Sequence, residues 1–187
     1  MVIQLRILLA ALATLLAVTL ATGSPALAEK CPAESFVRSA GQAYDRAASS
    51  GSATAFASAA ARYSDLRSLS FFALGRYRKD LPKSREAEYL RLTRQFIGQM
   101  LKDHGSGFRG GMLEVIDCKT SGGNVVVSAR NPGGSKIVFR LAKSGGGYTV
   151  KDVNMQGVWL AQQMRSSFVG TISRAGSIDA LFDWLKS

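Results

Sequence analysis

The chain has 187 residues, with 24 Lys or Arg against 13 Asp or Glu and a single His, for a formal charge of +11. Two cysteines and one histidine match no metal-ligand spacing, so no metal centre or cofactor is expected. No G-x-S-x-G elbow or P-loop occurs, which removes two common catalytic signatures.

At the start, Arg6 precedes an apolar run over residues 7–21, and Ala26-Leu27-Ala28 has the small-x-small form of a signal-peptidase site. Residues 1–28 read as a secretory signal cleaved after Ala28, leaving residues 29–187 as one domain. The alternative is a retained anchor. The run is short against the roughly 20 residues a span needs, and Gly23, Ser24 and Pro25 follow it. Glu29 and Lys30 before Cys31 argue against a lipid-modified cysteine. Export leaves no nucleic acid as an expected partner. The basic surface then faces anionic lipid or an acidic protein, or is simply solvated. In an oxidising compartment Cys31 and Cys118 are candidates to pair, against two separate thiols. In the chain-entropy model a bridge over so long a loop contributes roughly 4–5 kcal/mol.

Residues 32–104 read as helical. Phe36, Val37, Ala40, Ala43, Tyr44 and Ala47 suit a first helix, with residues 49–52 as its exit. The Ala-rich stretch 53–63 makes a second. Ser64-Asp65 offers an N-cap for an apolar run over 66–77, which Pro82 ends. Ser84 then opens a helix with Glu86 and Glu88 in its first turn and a stripe of Tyr89, Leu92, Phe96 and Met100, stopped by the Gly-rich residues 105–111.

The period then changes to two. Strands are predicted over 112–119, 124–130, 135–143 and 148–155, joined by short Gly-rich turns that force antiparallel neighbours. In the last strand the apolar parity slips between Val150 and Val153, which marks a bulge near Asp152. Beyond it Val158, Ala161, Met164 and Phe168 lie on one helical face, so a helix is predicted over 158–172, and a second over 178–186 capped by Ser177. The expected fold is α+β: N-terminal helices packed on a four-stranded antiparallel meander, with two C-terminal helices.

Residues 105–110 fit G-x-G-x-x-G, but a helix precedes and a strand follows, the reverse of what phosphate binding at a helix N-terminus requires. His104 sits at a helix end, where interaction with the helix C-terminus explains it; a general base is the sharper alternative. A final group is Phe71, Phe72, Leu74, Tyr77, Trp159, Leu160, Met164 and Phe168. By pattern alone these are core more readily than pocket.

Three stretches resemble one family in order and spacing. Phe72-Ala73-Leu74-Gly75-Arg76-Tyr77, within 65–77, resembles an F-x-L-G-x-Y segment. Glu88-Tyr89-Leu90 through Phe96 resembles an E-F/Y-L-x-x-F helix. Residues 148–168 resemble W-x-V-x-D-V-x-x-x-G-V-S-L followed by R-S-x-F. The family is the MlaC, or toluene-tolerance, family of periplasmic phospholipid-binding proteins in the maintenance-of-lipid-asymmetry pathway, and the resemblance spans roughly residues 32–186. Tyr148 stands where Trp is usual and Trp159 where a small polar residue is usual, and the turn at 131–135 is shorter than in many members.

The resemblance implies a nuclear-transport-factor-like fold and a non-enzymatic periplasmic carrier. It would move phospholipid between an outer-membrane lipoprotein complex and the inner-membrane complex of an ABC-type lipid transporter. The aromatic and apolar group above becomes the candidate lipid pocket. The helix from 158 is then one wall and the meander, through Val126 and Val138, the other. Arg76 and Arg165 are candidate head-group contacts, and an ion pair between Asp152 and Arg165 is expected to fix the strand–helix corner. Alternatives are an isomerase- or dehydratase-like enzyme on the same fold, a non-shuttling adaptor, or a carrier of another lipid such as a hopanoid.

Overall fold

The computed structural model describes residues 31–187; the secretory-signal reading of residues 1–28 lies outside them. Four α-helices come first. Helix α1 (Glu34–Ser50) and α2 (Ala53–Tyr63) are followed by α3 (Leu66–Leu74), a 3-10 segment Gly75–Asp80 and α4 (Glu86–His104). The Ser52 hydroxyl caps α2 by accepting the Ala55 N–H at 3.3 Å, and the Asp65 carboxylate caps α3 by accepting the Ser68 N–H at 3.0 Å. Helix α3 is shorter than its apolar run predicts. At Gly75 the backbone turns to φ +55° and ψ −128°, a region closed to other residues, and a Cβ there would stand 3.2 Å from the Arg165 guanidinium and Val169.

The second half is an antiparallel meander in the order β1 (Glu114–Ser121), β2 (Asn124–Arg130), β3 (Lys136–Ser144), β4 (Gly147–Met155) and β5 (Val158–Trp159). The fold is α+β as expected, with one strand more. Gln156 and Gly157 both take positive φ, as a two-residue hairpin turn of type I′ requires, so Val158 and Trp159 turn back on Met155 and Asn154. Helix α5 therefore begins at Leu160 rather than Val158; it runs to Ala175 and is followed by α6 (Asp179–Lys186). The expected bulge is present. Arg140 pairs with Asp152 and Leu141 with Val150, which leaves Lys151 as the extra residue.

The pleat turns Val125, Val127, Ala129, Ile137, Phe139 and Leu141 into the core. Helix α4 crosses the helical layer closely because it carries Gly98 opposite α2: a methyl there would overlap the Ala53 carbonyl oxygen and lie 2.8 Å from Ala57. Tyr89 is fully buried at the centre of an aromatic cluster with Phe71, Phe168 and Phe182, and its hydroxyl donates to the Ser70 carbonyl at 2.6 Å. Cys31 and Cys118 form a disulfide that ties the chain ahead of α1 to β1.

Candidate functional site

Two cavities meet near the start of α5. One is an open cleft of about 480 Å³ between α4, α5 and the β4–β5 turn. Its apolar lining comes from Phe96 and Met100 on α4, Met155 and Val158 on the hairpin, and Leu160 on α5; Gln99, Gln163 and Ser167 give it a polar rim. The other is an interior hole of about 20 Å³ among Leu66, Leu69, Ile97, Leu101 and Val153, room for about one water. Leu160 lines both cavities and stands between them. Tyr44 also borders the hole, and burial pushes its hydroxyl up to about 12. Asp103 and His104 reach the cleft only at its exposed rim, where Asp103 accepts a hydrogen bond from Gln99 at 2.9 Å.

Met164 and Phe168, expected to wall the lipid pocket from α5, are fully buried, Phe168 against Phe96 of α4 and Trp184 of α6. The sequence-predicted residues separate into distinct places. Phe71 and Leu74 belong to the core. Phe72 is exposed and Tyr77 half-buried against the core, each beside an arginine: the Arg165 guanidinium lies 5.0 Å from the Phe72 ring centroid and Arg76 4.9 Å from that of Tyr77. Val126 and Val138 fall on the opposite face of the sheet from Val125, Val127, Ile137 and Phe139, because side chains alternate along a strand. Trp159 is with neither group; Arg140 stacks on its ring at 3.7 Å. Of the predicted lipid contacts, Leu160 alone lines the cleft, and Arg76 and Arg165 do not. Phe96, Met100, Met155 and Val158 were missed as lining residues, although the Gln156-Gly157 pair, read as a hairpin turn, would have turned Val158 back beside Met155.

The strand–helix corner is built differently from expectation. Asp152 does not pair with Arg165. Its Oδ1 accepts the Ala161 N–H at 3.0 Å and the Val153 N–H at 2.9 Å, while Oδ2 lies 3.9 Å from Arg140. One carboxylate thus joins β4 to the first turn of α5. Burial raises its pKa above the usual carboxylate value, opposed by those two amides and then by Arg140. On the neighbouring bulge, Lys151 donates to Asp65 at 2.8 Å. That hydrogen bond, with the Ser68 contacts, holds the Asp65 pKa down to about 2.

The family model described as MlaC protein matches residues 38–187. The chain belongs to the MlaC family. Among solved structures, this MlaC-family chain is similar to a phospholipid-binding protein from Ralstonia solanacearum determined in complex with a phospholipid. The TM-score is 0.68 at 18% identity, covering 82% of this chain and 94% of that one. No match was found among curated proteins. The Gly75 turn and the Asp152 corner lie within two of the three stretches that carried the resemblance, so those two motifs mark backbone geometry.

Proposed function

We propose that this protein is a periplasmic phospholipid carrier, shuttling lipid between an outer-membrane lipoprotein complex and an inner-membrane ABC-type transporter complex. Family membership and the likeness to a fold seen with bound phospholipid support the reading. The observation that carries it is the apolar cleft of about 480 Å³ between α4, α5 and the β4–β5 turn, within the size range of about 300–1,000 Å³ usual for small-molecule sites. The exported location rests on the leader-like residues 1–28.

A free diacyl lipid cannot cross water, because exposing roughly 30 methylenes at about 0.8 kcal/mol each costs on the order of 20 kcal/mol. A carrier has to cover the acyl chains continuously, yet hold them no more tightly than a bilayer does, so that loading and unloading both proceed. In our reading the chains enter between Phe96, Met100, Met155 and Val158, and displacement of Leu160 joins the cleft to the interior hole. The head group stays at the rim with Gln99, Gln163 and Ser167. The exposed positions of Asp103 and His104 favour this reading over general acid–base catalysis, which gains from a desolvated site.

Protein purified from its native compartment and extracted into organic solvent is expected to release glycerophospholipid, seen by mass spectrometry. Leu160→Arg or Met100→Glu lowers that yield at least about fivefold, and Val126→Arg, on the other face of the sheet, leaves it unchanged. A hopanoid in the extract would keep the carrier and change its cargo. An extract free of lipid, or turnover of a small substrate, would overturn the reading.

A further inference from the structure

Cargo binding leaves a second surface unused. The 3-10 segment Gly75–Asp80 and the chain leading to α4 expose Arg76, Arg78, Lys79 and Lys83. Helix α5 packs beside the same segment and adds Arg165, whose guanidinium is against Gly75, and Arg174. None of these six cations is paired with a carboxylate among the described residues, whereas Arg67 and Arg85 close by are paired with Glu86, Glu88 and Asp179. Asp80 is the one acid within the segment.

Unpaired cations gathered at one end repel one another, which disfavours the fold unless something outside balances them. The patch is also amphipathic. Phe72 is 42% exposed and carries Arg165 over its ring, and the Arg78 guanidinium lies 4.6 Å from the Phe71 centroid. These side chains line none of the cavities described above. An extended anionic plane with an apolar layer beneath it matches this surface better than an enclosed small anion.

We infer that this end of the molecule docks on an anionic phospholipid bilayer, with its Arg and Lys side chains at the phosphate level and Phe72 seated among the first methylenes. Docking is independent of cargo, since no residue is shared with the cleft.

The test is co-sedimentation of the full protein with vesicles of phosphatidylcholine alone, or mixed with an equal part of phosphatidylglycerol, at low and high salt. The parent protein is expected to pellet with the anionic vesicles only and to be released by salt. Arg76→Glu with Lys79→Glu weakens binding about tenfold or more, because each basic residue near an anionic surface contributes appreciably. Lys136→Glu with Lys143→Glu, the same charge change at two exposed positions of β3, alters it by less than about twofold. Phe72→Ser weakens binding with an unchanged thermal melt. Failure of the parent protein to bind anionic vesicles would overturn the proposal and leave the patch to an acidic protein. Equal losses from both charge pairs would overturn it in favour of diffuse net charge. Lipid left in the supernatant, measured separately, reports cargo extraction, so the docking and carrier readings fail independently.

Discussion

Asp152 shows how one side chain acquires a different role from the one its sequence neighbours imply. It is buried, and its carboxylate accepts two backbone N–H groups across the junction of β4 and α5. Asp152→Ala leaves both amides without a partner and is expected to cost about 2–3 kcal/mol in urea denaturation at neutral pH. Asp152→Asn retains an accepting oxygen and costs much less. The sign of the pH effect follows from the raised folded-state pKa. As pH rises the unfolded chain gives up this proton first, so ionisation removes stability, and the Asn variant gains on the parent through that titration. Asp65 behaves oppositely. Its pKa is depressed to about 2, so its contribution is complete above the ordinary value near 4 and is lost as pH falls from about 4 to about 2. Asp65→Ala removes the α3 cap and the tie to Lys151. It is expected to cost about 1 kcal/mol at pH 7, a difference that closes across that acid window.

At the level of the elements, α2 and α4 pack in close contact at Gly98. The Ala-rich face of α2 and Gly98 on α4 let the two backbones come together without side chains between them. Gly98→Ala gains helix propensity, yet the added methyl meets the Ala53 carbonyl, so the net effect is a loss of about 1–3 kcal/mol, read from thermal melts. The β4–β5 hairpin has the opposite character. It ends the sheet with a two-residue strand and leaves Val158 51% exposed, an apolar side chain held at the cleft mouth. The apolar spacing of Val158, Ala161, Met164 and Phe168 is genuine for the last three, which are buried on α5. It misassigns Val158, since a strand side chain and a helix side chain satisfy the same pattern over one step.

For the whole molecule, the Cys31–Cys118 bridge closes a loop with a sequence separation of 87. Replacing both cysteines by Ser is expected to lower stability by roughly 4–5 kcal/mol on the loop-entropy scale, measured by denaturant titration of each form. The α+β division, the helix cap at Asp65 and the bulge between Val150 and Val153 were all legible in the chain, whereas Ser52, read as the exit of the first helix, proved to cap the second. Each rests on contacts a few residues apart. The candidate site was much less legible. Three consecutive valines, Val125 to Val127, read equally well in either pleat, and only the pairing across β1 and β3 decided that Val126 points away from the core. Local chemistry thus determined most of the elements and the family to which the chain is similar, while the end of α3 and the start of α5 were set by the Gly75 turn and the β4–β5 hairpin. The tertiary structure decided which apolar side chains fill the interior and which line a cleft, because burying either kind removes the same apolar area from water and so leaves no local mark.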